Sequence, residues 1–286
     1  MKLLILTFLL TWALNAAAHG GIYTYNISSV IYQGNPWHIH DYGPFYGSGN
    51  ASGIPAGTPS IQRRWYFWPL YNLSSPNMTC NFDGSFSPTT PSLHAPVRAG
   101  ETITASYNVA NFNLTAVERD QWYHQYGPLL IYMARCPGLS CAGWNGEGEV
   151  WFKIAEFGLV PGAKNLRGPW MQGVLLMGTS SPGVEVRVPG ALKTGAYLVR
   201  HEVVNLQSNR ADGAQFYVSC AQVFVEGGEG GKVPGERFSV AFPGAYKSSD
   251  PGLRIAGNEI SDGELLEEYN TTDYQFPGPL VWDGEG

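Results

Sequence analysis

Ala196-Tyr197-Leu198-Val199-Arg200-His201-Glu202-Val203-Val204-Asn205, followed by Gly213-Ala214-Gln215-Phe216-Tyr217-Val218-Ser219-Cys220, is the stretch that decides the fold. Both runs are rich in β-branched and aromatic residues and lack the apolar recurrence of a helix, so both read as strands. In the second run a strand's alternation puts Gln215 and Tyr217 on one face and Phe216, Val218 and Cys220 on the other. That run continues to Val225, and the same signature recurs at Gly21 to Tyr32, Thr102 to Val109, Leu129 to Met133, Val150 to Ile154 and Val184 to Val188. The 36 glycines and 20 prolines punctuate these segments. Short strands between turn residues predict an all-β fold: an immunoglobulin/fibronectin-like antiparallel β-sandwich with long loops.

Outward from the strands, residues 34 to 70 mix Gly, Pro and aromatic side chains without a sustained period. A connection of that length in a compact domain carries function more often than not. Residues 227 to 286 continue the turn-rich style, with Pro243-Gly244, Pro251-Gly252 and Pro277-Gly278. No Ser/Thr-rich linker divides the chain, so residues 19 to 286 read as one domain without an appended carbohydrate-binding module.

The first residues read differently. Lys2, an apolar run from Leu3 to Leu14 and Ala16-Ala17-Ala18 are the parts of a secretory signal peptide, and cleavage after Ala18 makes His19 the first residue. A terminal histidine offers an α-amine and an imidazole from one residue, and one further histidine would complete a three-nitrogen site suited to copper. Cleavage displaced by a residue or two would leave His19 ordinary, and the leader alone favours that reading; the motifs further along the chain reverse it. The formal net charge is −6, which argues against nucleic acid or anionic membrane as partners. No later apolar run is long enough to span a bilayer, and the mature chain is expected to be secreted and monomeric.

Four cysteines in an oxidising compartment imply two disulfides. Of the three possible connectivities, the expected one joins Cys136 to Cys141 across the Pro137-Gly138 turn and Cys80 to Cys220. Sequons stand at Asn26, Asn50, Asn72, Asn77, Asn113 and Asn270. Glycans are expected at Asn72, Asn77 and Asn113, with simultaneous occupancy of the neighbours Asn72 and Asn77 disfavoured.

The remaining histidines differ in promise. His38 and His40 form a His-x-His in a loop and read as solvated. His94 lies in a Pro-rich stretch with nothing distinctive around it. His201, inside a strand, reads as a structural histidine. His124, on the loop that feeds the strand at Leu129, is well placed to reach a surface site. Gln215 beside Tyr217 is compatible with a metal site at the sandwich edge, although tyrosines are common in sheets. Glu147, Glu149 and Glu156 carry no spacing that would set two carboxylates across a glycosidic bond, and they read as solvated.

Taken together, the chain resembles the lytic polysaccharide monooxygenases of auxiliary activity family 9. The resemblance runs through Ala18-His19-Gly20, Asn77-Met78-Thr79-Cys80, Pro96-Val97-Arg98-Ala99-Gly100-Glu101, Gly127-Pro128 with Tyr132-Met133-Ala134, and Trp151-Phe152-Lys153-Ile154. It continues through Gly195 to Glu202, Gly213 to Tyr217, Cys220-Ala221-Gln222, Pro243-Gly244-Ala245-Tyr246 and Pro277-Gly278-Pro279. It implies one copper ion held by the amine and ring of His19 and by His124, with Tyr217 as axial phenol and Gln215 as the amide beside the metal. It also implies dioxygen or hydrogen peroxide as co-substrate, an external electron donor (a small reductant or a redox protein), and cellulose or a related glucan oxidised at C1, C4 or both. Tyr274 matches the position of a tyrosine on the glucan-facing surface.

Two departures from the family stand out. His124 is separated from Gly127-Pro128 by one more residue than usual, which a bulge could absorb. Gln207 stands where the family commonly has a histidine that works with the glutamine, and an amide cannot exchange a proton as imidazole does near neutral pH. Arg210, on the same short connection, could bring a cation near the site. The alternatives are therefore a secreted copper- or glycan-binding relative with weak or altered activity, and a purely structural cell-wall sandwich.

Overall fold

The computed structural model describes residues 20–34, 59–65, 68–81, 93–109, 122, 124–178, 181–210, 213–227, 231–255, 260–261 and 264–285. Two sheets make up the β-sandwich. The smaller has the order β2-β1-β4-β7, from β1 (Gly20–Ile27), β2 (Val30–Gln33), β4 (Thr102–Val109) and β7 (Val184–Arg187). The larger has the order β10-β6-β5-β8-β9-β3, from β3 (Ala95–Arg98), β5 (Leu129–Arg135), β6 (Trp151–Phe157), β8 (Gly195–Arg210), β9 (Gly213–Glu226) and β10 (Ser239–Val240).

The expected strands are present, joined by the unexpected β3 and β10. Gly21 to Tyr32 is a hairpin, because Ser28 and Ser29 take positive φ of 50° and 65° and turn the chain between β1 and β2. β3 contains Pro96 and lies at the sheet edge, where the missing N–H costs no central ladder bond. It runs parallel to β9, with Ala95 opposite Val223, while every other pairing between the named strands is antiparallel.

The larger sheet is buried on both faces. Leu129, Ile131, Val199, Val203, Tyr217 and Val223 pack between the sheets. The alternate residues Leu130, Tyr132, Leu198, Val204, Phe216 and Val218 form a second core on the outer face. That explains why β5 reads as an unbroken apolar run. The outer core is covered by α1 (Asn77–Cys80) and by the chain around Phe242, Tyr246 and Tyr274. It also encloses the fully buried ion pair Arg200–Glu202, at 2.7 Å. Arg200 donates to the carbonyls of Met78 and Thr79, and Tyr246 donates to Glu202, so the pair ties α1 and the later chain to β8.

Both expected disulfides form. Cys80–Cys220 closes 140 residues and Cys136–Cys141 closes 5.

Candidate functional site

The site lies toward the end of β8 and the start of β9, at one edge of the inter-sheet core. Their register sets Val203 opposite Tyr217 and Asn205 opposite Gln215. Gln215 and Tyr217 share the inter-sheet face, with Phe216, Val218 and Cys220 on the other, as the alternation requires. On the far edge of β9, Leu70 pairs with Phe216 through reciprocal backbone bonds of 2.8 and 2.9 Å. Antiparallel register therefore brings Tyr71 alongside Gln215.

His124 arrives from the loop before β5. Its Nε2 lies 2.9 Å from the hydroxyl oxygen of Tyr217. Trp122 packs edge-on against both rings, with centroids 5.8 Å from His124 and 5.2 Å from Tyr217. The chain meets β8 regularly from Tyr126 onward: Leu206 N–H donates to Tyr126 O and Val204 N–H to Pro128 O, a two-residue step without a bulge, and Gln125 before it is exposed. Gly127 (φ +125°) makes that approach feasible, because a Cβ there would collide with the carbonyl oxygen of Val204.

A hydrogen-bonded row runs from β8 across β9 to the bridged segment at Tyr71. Asn205 Nδ2 donates to Gln215 Oε1 at 2.6 Å, Tyr217 donates to the same oxygen at 3.2 Å, and Gln215 Nε2 donates to Tyr71 at 2.8 Å. The backbone N–H of Gln207 donates to Asn205 Oδ1 at 2.9 Å, whereas its side-chain oxygen is buried without a hydrogen-bond partner among the described residues. Burial, reinforced by nearby Tyr71, holds the Tyr217 phenol well above its ordinary pKa, so it is a neutral hydroxyl at working pH.

His19 lies outside the described residues, as do His38, His40 and Asn113. Its chain neighbour Gly20 is the first residue of β1 and lines a small crevice with Gly21, Tyr107 and Tyr217. Among the described residues no three His, Cys, Asp or Glu side chains gather as a metal site. The donors that do converge are one imidazole nitrogen and one neutral phenol. This set suits a copper ion whose remaining ligands come from elsewhere in the chain, and lacks the carboxylates a hard cation needs.

The other candidates fall elsewhere. Tyr274 is a correction: its side chain is covered, its hydroxyl donates to Gly252 O at 3.0 Å, and its ring meets Trp170 and Phe276 edge-on. A stacking platform needs an open ring face, and Tyr274 has none because the C-terminal chain lies down on the outer core. His201 packs in the inter-sheet core near Tyr25, where burial lowers its pKa to about 3. His94 accepts from the Cys141 N–H. Asn72 is exposed, with its side-chain oxygen taken by the Ser74 N–H, while Asn77 is half-buried in α1. The reading by residues missed Tyr71, Asn205 and Trp122. The aromatic density of Trp65 to Tyr71 was the available signal, but nothing local says which strand that segment meets.

The profile of Auxiliary Activity family 9 (formerly GH61) matches residues 19–265. AA9 family lytic polysaccharide monooxygenase B of Heterobasidion irregulare is 33% identical over 269 residues, covering 94% of this chain and 93% of that protein. AA9 family lytic polysaccharide monooxygenase D of Thermothelomyces thermophilus is 32% identical over 276 residues, covering 94% and 90%. The crystal structure of a cellulose-active polysaccharide monooxygenase from M. thermophila superposes with a TM-score of 0.68 at 30% identity, over 92% of this chain and 99% of that one. That of HiLPMO9B gives 0.69 at 31% identity, with the same coverage.

Proposed function

This chain belongs to Auxiliary Activity family 9, the lytic polysaccharide monooxygenases, and from that premise we propose a secreted, copper-dependent enzyme that oxidatively cleaves β-1,4-glucan. Cellulose is the substrate of choice, with attack at C1, C4 or both, dioxygen or hydrogen peroxide as co-substrate, and an external reductant as electron donor. The observation that carries the reading is the 2.9 Å approach of His124 Nε2 to the Tyr217 hydroxyl, beside the first residues of β1.

In this reading residues 1–18 are a cleaved leader, and residues 19–286 act as one monomeric domain. His19 would hold the ion through its terminal amine and ring nitrogen, His124 would add a third nitrogen, and Tyr217 would offer a neutral phenol oxygen beside them. Copper, when bound, supplies the one-electron chemistry that makes the oxygen co-substrate reactive toward a sugar C–H bond. Trp122, edge-on against both rings, holds the imidazole and the phenol in place. Gln215, held from three sides, presents an amide of fixed orientation next to them. Exposed Asn72 is the glycan acceptor favoured over half-buried Asn77.

Copper-loaded protein incubated with amorphous cellulose and ascorbate should release oxidised oligosaccharides detectable by mass spectrometry, and N-terminal sequencing should begin at His19. Failure to release oxidised products from any of several glucans would remove the reading. A second reading, copper or glycan binding with weak turnover, is favoured by Gln207, whose side chain takes no part in the hydrogen-bonded row. Gln207→His should then raise turnover, and an unchanged rate counts against it.

A further inference from the structure

We propose that Tyr71 is a positioning residue of this site, locking the Gln215 amide in one orientation from its solvent side. The inference rests on the reading of the site as a copper centre. Every donor and acceptor in the row is dictated from one end. A backbone N–H can only donate, so the Gln207 N–H forces Asn205 to turn Oδ1 toward it and Nδ2 toward Gln215. Gln215 must then accept on Oε1, where the Tyr217 hydroxyl also donates, and its Nε2 is left to donate outward. The group that receives it, at 2.8 Å, is the phenol oxygen of Tyr71.

Tyr71 can hold that place because its backbone is fixed. The reciprocal Leu70–Phe216 bonds form an antiparallel bridge to β9, so Tyr71 stands beside Gln215 by register. Exposure separates the two ends of the row: Gln215 is 7% and Tyr217 4% exposed, whereas Tyr71 is 42% exposed. Having accepted from Gln215, the Tyr71 oxygen still carries its own hydrogen. It is thus the solvent-facing hydroxyl of a chain that continues inward through Gln215 and Tyr217 to His124. The Gln207 side-chain oxygen, buried without a partner among the described residues, is not part of that chain.

The test is Tyr71→Phe, which keeps the ring and removes only the oxygen, with Tyr71→Leu as a second variant should the first fold poorly. In 15N-labelled, copper-free protein, the Gln215 side-chain amide protons should exchange faster in the variant, roughly tenfold for the loss of one hydrogen bond. After loading with Cu(II), the electron paramagnetic resonance spectrum should show altered hyperfine splitting at unchanged copper stoichiometry. Wild-type protein that takes up no Cu(II) sinks the copper reading and with it a role for Tyr71 at such a site. Wild-type protein that binds copper, alongside a variant matching it in both amide exchange and spectrum, overturns this inference alone.

Discussion

His124 Nε2 and the Tyr217 hydroxyl oxygen lie 2.9 Å apart although 93 residues separate them in the chain. Their contact depends on two independent placements: a loop ending at a strand and a register between β8 and β9. If His124 is a copper ligand, His124→Ala should weaken Cu(II) binding by at least about 100-fold, measured by isothermal titration calorimetry. Tyr217→Phe should weaken it by no more than about tenfold while changing the Cu(II) spectrum. Wild-type affinity in His124→Ala would remove the imidazole from the ligand set.

Gly127 fixes how closely the His124 loop approaches β8. Gly127→Ala puts a methyl group against the Val204 carbonyl and asks alanine to hold φ +125°. Destabilisation of about 2 kcal/mol or more is expected in urea unfolding. Because the loop must shift, copper affinity should fall as well. Stability and affinity both at wild-type values would show that the approach is not constrained at this residue.

His201 makes stability depend on acid. Its folded pKa of about 3, set by burial, lies below an unfolded value of about 6.5. Between those values the unfolded chain binds a proton that the folded chain refuses. The contribution is therefore fully present above about pH 6.5 and is lost as pH falls toward 3, at up to about 1.4 kcal/mol per pH unit. A pH series of chemical melts should be flatter for His201→Leu across that window, and identical slopes would refute the assignment.

Tyr274 separates packing from binding. Its ring is enclosed by Trp170 and Phe276, so Tyr274→Ala should cost about 3 kcal/mol of stability. Binding of the folded variant to cellulose, measured by pull-down, should match that of wild type. A selective loss of cellulose binding without a loss of stability would restore Tyr274 to the substrate surface.

Much of this was legible in the residues. β-Branched and aromatic runs between Gly and Pro gave the strands, because backbone preference and side-chain alternation act over a few residues. The alternation also placed Gln215 and Tyr217 on one face correctly, and the turn at Pro137-Gly138 anticipated Cys136–Cys141. The edge strand carrying Pro96 escaped detection because its only support is the neighbour it pairs with. The double burial of the larger sheet escaped because a continuous apolar run does not reveal what covers it.

By itself, then, the sequence determined the sandwich, both disulfides and the family, since each is written in local pattern or in motifs kept in order. The tertiary structure alone decided that Tyr274 is interior, that Tyr71 stands beside Gln215, and that Gln207 contributes its backbone rather than its side chain. Those facts depend on which strand edges meet and on what folds over them. They are set by packing between segments far apart in the chain, and no short-range signal encodes them.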